Sequence, residues 1–211
     1  MSRLVVRERS ASANHIKQVA RQLFAERGVD GVTVREIAEA AGQKNHAAVA
    51  YYFGSKEALV RELILDGAKL IDEKRNGMID DLEHRNVPFT LKNIVEALVY
   101  PSVDFGDPDD VSGYNRFIFL LGMTHREFFL DSLENRWNSG YIRCLDHLRT
   151  LMPDMPELRK TQKLVFLGCY LGSVMSARES ILENTSRDHP VWTHPSTLGH
   201  LVDTMVALLD S

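Results

Sequence analysis

Apolar residues recur at helical spacing along almost the whole chain, and this constrains the fold before anything else does. Ile16, Val19, Ala20, Leu23 and Phe24 fall at i, i+3, i+4, i+7 and i+8, one apolar stripe on a first helix. Gly28 follows where a left-handed cap is expected. Thr33 and Glu36 have the T-x-x-E spacing of a capping box, opening a short second helix that ends at Gly42. Asn45 is a favourable N-cap for a third short helix to about Tyr52, and Ser55 caps a fourth from Lys56 to about His84. Beyond Pro88 the pattern predicts helices near 90–100, 113–124, 126–151, 156–183 and 196–210. Their separators are Pro101, Asp107-Pro108-Asp109, Pro153/Pro156, and Pro190 and Pro195. No alternating strand pattern of useful length interrupts this. The reading is all-α, about nine helices: a three-helix head, 1–56, on a larger helical bundle, 57–211.

Charge divides at the same place. The formal net charge is −4, yet residues 1–56 hold nine Lys/Arg against five Asp/Glu, and the remainder sixteen against twenty-four. That asymmetry points to an anionic partner at the N-terminal end. Arg3, Arg7 and Arg9 read either as an arm without a role or as a minor-groove contact. Cys144 and Cys169 form no ligand spacing and read as small hydrophobes in a reducing compartment. The longest uncharged stretch, Leu164 to Ala177, has 14 residues, short of the ~17–25 that span a bilayer. The start lacks a signal-peptide pattern, and the expectation is a soluble cytoplasmic protein without a membrane partner.

Two short helices joined by a Gly-containing turn and braced by a longer one describe a helix-turn-helix. On the third helix, at ~100° per residue, Val49 and Phe53 share the face that would pack inward. Lys44, Ala47, Ala48 and Tyr51 lie roughly opposite, with His46 and Ala50 on the flanks. A solvent face this small-sided permits close approach to base edges, and Ala methyls can meet a thymine methyl. Asn45 and His46 can supply hydrogen bonds at a helix N-terminus that favours phosphate. The run Tyr51-Tyr52-Phe53 also reads as core with one Tyr exposed, and Lys56 as an ordinary surface lysine.

The segments Thr33-Val-Arg-Glu-Ile-Ala-Glu-Ala-Ala-Gly42 and Asn45-His-Ala-Ala-Val-Ala-Tyr-Tyr-Phe-Gly-Ser-Lys-Glu-Ala-Leu59 resemble the TetR/AcrR family of one-component regulators over roughly Ile16 to Leu63. The resemblance implies a DNA-binding transcriptional regulator, a repressor released from a palindromic operator by a small apolar or amphipathic effector. It places Thr33 and Arg35 at family positions that touch phosphate or a base edge. Tyr51, Tyr52, Ser55 and Lys56 would then meet the sugar-phosphate backbone. Ala50 stands where relatives commonly carry Tyr, and Tyr52 where they carry His. The turn after Gly42 is one residue longer than the common pattern, which shifts the register of Gln43 and Lys44.

The same resemblance implies an effector pocket and a homodimer in the C-terminal part. Pocket candidates are Tyr114, Phe117, Met123, His125, Phe129, Trp137, Tyr141, Tyr170 and Arg178. The polar groups within apolar stretches are Arg116, His125, Arg178 and Glu179. For the dimer surface the candidates are Gly168, Gly172 and Ser176 with Leu198, Leu201, Val202, Met205 and Leu209; an intrachain contact between these two helices is the other reading. Neither cofactor nor metal is expected. His189, His194 and His200 lack the i, i+4 spacing of a zinc pair, and no nucleophile-elbow, P-loop or dinucleotide motif marks an enzyme. A DNA-binding protein without an inducer shares the same motif.

Overall fold

The computed structural model describes residues 3–85, 88–103 and 113–211, with side chains from residue 11 onward. Phe105 and the breaker Asp107-Pro108-Asp109 lie outside the described residues, as do the side chains of Arg3, Arg7 and Arg9. All regular structure among the described residues is helical. The helices are α1 (Arg3–Arg27), α2 (Val34–Ala40), α3 (Ala48–Phe53), α4 (Lys56–His84), α5 (Leu91–Val99), α6 (Tyr114–Thr124), α7 (Arg126–Ser132), α8 (Ser139–Leu151), α9 (Glu157–Leu182), α10 (Pro190–Thr193) and α11 (Thr197–Asp210), with a 3-10 turn at Tyr100–Ser102. The backbone of the segment read as an arm belongs to the first turns of α1. The single helix expected over 126–151 is two, because Glu134 and Asn135 sit at φ 54° and 51°. Two successive left-handed residues cannot continue a right-handed helix. No helix among the described residues is long and apolar enough to cross a membrane.

One compact unit comprises Met1–Gly67 and Asp107–Ser132. A division after Lys56 therefore separates α6 and α7 from the helices they pack with. The core of this unit is built from the expected stripes: Ile16, Ala20 and Phe24 of α1, Ile37 and Ala38 of α2, Val49 of α3, and Leu59, Leu63 and Ile64 of α4. Phe117 and Leu121 of α6 complete it, with the Phe24 and Phe117 rings stacked at 6.0 Å. Each of these side chains larger than alanine contributes about 1.5–3 kcal/mol by leaving water. Tyr114 is buried too, and its hydroxyl donates to the Ile64 carbonyl at 2.8 Å. That ring crosses α4 directly over Gly67, where any Cβ would overlap it. Arg61 fastens α7 to α4: Nη1 donates to Ser132 Oγ at 3.1 Å, pairs with Asp131 at 2.9 Å, and its guanidinium lies 4.5 Å from the Phe128 ring centre.

The other unit comprises Ala68–Gly106 and Leu133–Ser211. Its core joins Ile79 of α4, Ile94, Val95 and Leu98 of α5, Cys144 and Leu148 of α8, Leu164, Leu167, Leu171 and Met175 of α9, and the apolar stripe of α11. Two buried charges on one turn of α4 close neighbouring helix ends. Asp72 accepts from Gly140 N and Ser139 Oγ, both at 2.8 Å, at the start of α8. Arg75 donates to the carbonyls of Ala97 (3.1 Å) and Leu98 (3.2 Å) at the end of α5. An anion at a helix N-terminus and a cation at a C-terminus both complement the helix dipole. Lys163, also buried, donates to the Leu208 carbonyl at 2.6 Å and to Ser211 Oγ at 2.8 Å, which satisfies the end of α11.

Candidate nucleic-acid interface

The second helix begins as the T-x-x-E spacing predicts. Glu36 N donates to Thr33 Oγ1 (3.2 Å) and Thr33 N to Glu36 Oε2 (2.8 Å), the reciprocal bonds of a capping box. Arg27 at the end of α1 adds a 2.8 Å ion pair to Glu36 and ties α2 to α1. The Thr33 hydrogen bonds and Arg27 lower the Glu36 pKa to about 2. Thr33 Oγ1 is thus engaged within the cap, donating in turn to Glu36 Oε2 at 2.7 Å. Gly42 then takes φ +63°, a left-handed turn favourable to glycine, and redirects the chain toward α3.

The third helix starts two residues later than expected, its N-cap at Ala47 in place of Asn45. Asn45 does not cap it: its Oδ1 accepts from Ala47 N at 2.9 Å in a local Asx turn, and α3 opens at Ala48 without a side-chain cap. This later start also rotates the buried face. Ala48 is buried beside Val49, so it is not part of an outer surface, while Phe53 is only half-buried. What faces solvent is Lys44, Asn45, His46 and Ala47 in the turn, then Ala50 and Tyr51 on the helix. Tyr51 is 63% exposed, too open for a packing role, and its ring meets that of half-buried Tyr52 edge-on at 5.0 Å. Arg35 is exposed on α2. Ser55 accepts from Ala58 N at 3.0 Å and so caps α4. Lys56 is half-buried, with Nζ 5.9 Å from the centre of the Phe24 ring.

Sequence reasoning missed two acidic residues near these. Glu39, one turn after Arg35, accepts from Arg35 Nε at 2.9 Å and stands 3.9 Å from His46 Nε2 through the same oxygen. The i, i+4 spacing of Arg35 and Glu39 was the available signal. Asp30, in the turn after α1, pairs with His125 at 2.9 Å. Asp30 and His125 line a shallow cleft with Val29, Lys56, Glu57, Val60, Leu121 and Phe128.

The pocket candidates divide between the two units. Tyr114 and Phe117 are core of the first unit, Met123 is 69% exposed, His125 is committed to Asp30, and Phe129 is half-buried. The other four belong to the second unit. Trp137 lies 4.3 Å from the Arg136 guanidinium and 5.3 Å from Lys69 Nζ, and Tyr141 and Tyr170 pack on the core. Arg178 keeps a buried Nε without a hydrogen-bond partner, and burial lowers its pKa.

Most of the dimer candidates on α11 face the interior of their own protomer. Leu201, Val202, Met205 and Leu209 are buried within their own protomer against α5 and α9, so the apolar stripe of α11 is an intrachain face. Leu198 is partly buried against the same core. Gly168 lies under the Tyr141 hydroxyl, and Ser176 is buried and donates to the Gly172 carbonyl at 2.7 Å. On α9 the large exposed apolar residues are instead Leu158, Val165 and Phe166, with exposed Cys169 near the last two.

A braced pair of short helices on an otherwise helical chain places the molecule among helix-turn-helix proteins. The family described as bacterial regulatory proteins, tetR family, matches residues 16–63. The HTH-type transcriptional repressor KstR2 of Rhodococcus jostii is 35% identical over 154 residues, 64% of this chain and 70% of that repressor. For the HTH-type transcriptional repressor AcnR of Corynebacterium glutamicum the identity is 40% over 73 residues. That match spans 33% of this chain and 37% of AcnR, little more than a third of the repressor's length. Among solved structures, AibR in complex with isovaleryl coenzyme A and operator DNA has the same fold: TM-score 0.57 at 14% identity, covering 94% of this chain and 97% of that one. The chain belongs to the tetR family of bacterial regulatory proteins.

Proposed function

We propose that the protein is a transcriptional repressor that binds an operator duplex through the turn and helix spanning Lys44 to Tyr51. The observation that carries this is the exposed surface itself. Ala47 and Ala50 give a low relief that a groove floor can approach, Asn45 and His46 bring hydrogen-bonding groups, and Tyr51 is left largely open at the edge. Arg35 and Lys44 supply positive charge beside it, Thr33 lies at the mouth of α2, and Tyr52, Ser55 and Lys56 continue toward the start of α4. Ala47→Glu puts a carboxylate where the duplex must come closest. It should abolish binding in a gel-shift titration while the melting temperature and hydrodynamic size stay unchanged; undiminished affinity rejects this surface.

The regulatory part of the proposal is a small amphipathic effector held by residues of 57–211. Arg178, with its unpartnered buried Nε, is the polar group there best suited to an acceptor on such a ligand. AibR, of the same fold, is seen in complex with isovaleryl coenzyme A and operator DNA, a precedent for a ligand on this fold and not for release. Release of DNA then requires that the effector favour a conformer with the head displaced; tight binding alone shifts nothing. The helix that would carry the displacement is α4, which is unbroken from Lys56 to His84. The repressor would act in the cytoplasm as a homodimer, matching a two-fold operator. Its self-association surface is the open apolar face of α9 around Val165 and Phe166, in place of the α11 stripe.

A further inference from the structure

Glu39 raises a question that the duplex reading does not answer. It is an exposed carboxylate on the surface assigned to a polyanion, and phosphate repulsion there costs affinity for any DNA. Its geometry suggests what offsets that cost. Oε1 accepts from Arg35 Nε at 2.9 Å, an i, i+4 pair along α2, and lies 3.9 Å from His46 Nε2 in the turn ahead of α3. A guanidinium gripped through Nε still presents its two terminal nitrogens as a parallel donor pair. That is the fork that matches the O6 and N7 acceptors of guanine in a major groove.

We propose that Glu39 is a positioning residue that sets the sequence selectivity of the duplex interface, holding Arg35 for two-point contact with a guanine and keeping His46 alongside. The inference rests on the duplex reading above. On a duplex with guanine in the right place, part of the cost of ordering a long flexible arginine is already met in the free protein. On any other duplex the carboxylate only repels. Glu39 therefore acts in opposite directions on operator and on random DNA.

The test uses the full chain, a duplex selected from a random pool for tightest binding, and a scrambled duplex of equal length, compared by fluorescence anisotropy at one salt concentration. Glu39→Gln keeps size and removes charge. It should weaken the selected duplex about threefold, on the scale of ordering one long side chain, and tighten the scrambled one about threefold through lost phosphate repulsion. In an Arg35→Lys background, which lacks the fork, Glu39→Gln should bring no further loss on the selected duplex. Equal tightening of both duplexes makes Glu39 a mere repulsive charge and overturns the proposal. So do equal weakening of both, or no change in either. Failure of the wild-type protein to bind any duplex at low salt overturns the duplex reading, and this inference with it.

Discussion

Glu36 shows how much one carboxylate can organise. It receives two hydrogen bonds from the Thr33 backbone and hydroxyl, donates order back to the first turn of α2, and meets Arg27 from α1. Its pKa falls to about 2, so its contribution to stability is complete above the ordinary carboxylate range and is lost as pH drops from about 4.5 toward about 2. The difference in melting temperature between the wild type and Glu36→Ala should stay level from pH 8 to 5 and narrow below that. A gap that is independent of pH down to 2.5 would show the cap to be indifferent to charge. Cys144 is the contrasting case: burial pushes its thiol up to about 11, while Cys169 stands exposed on α9. The capping box was readable in the sequence because its two residues are neighbours on one turn. The grip of Asp30 on His125 was not, since those residues are brought together only by the packing of α6 on α1.

At the scale of elements, the 3.6-residue period marks helices wherever a stripe meets a core, and the stripes of α1, α2 and α4 were legible for that reason. Boundaries follow local chemistry that one residue type can serve in two ways. Asn45 is as good in an Asx turn as at an N-cap, and the choice moved the start of α3 and turned Ala48 inward. The break between α7 and α8 carries no glycine or proline and was invisible. Gly67 is the converse, a glycine in mid-helix whose reason is a neighbour. Alanine there gains up to about 1 kcal/mol of helix propensity, but its methyl would enter the buried Tyr114 ring, an overpacking of about 1–3 kcal/mol. Gly67→Ala should therefore lower stability in urea by about 1 kcal/mol, the balance of these terms. A stabilised variant would mean that Tyr114 yields easily and that the close approach carries little constraint.

For the whole molecule, periodicity identifies an apolar face without saying what covers it. The stripe on α11 is broad and regular, and it is consumed inside the protomer by α5 and α9. The open apolar positions Val165 and Phe166 fall on the far side of α9. Lysine at both should leave the fold intact and halve the mass measured by light scattering; a mass unchanged at micromolar concentration removes α9 as the self-association surface.

Buried Lys163 has one more implication. Its ammonium donates to acceptors at the end of α11, Leu208 O and Ser211 Oγ, which are distant in sequence. Before α11 docks, that ammonium keeps its water, because burying it without acceptors is costly. Lys163 therefore couples burial of this part of α9 to docking of α11: the cation can leave water only once that helix end is in place.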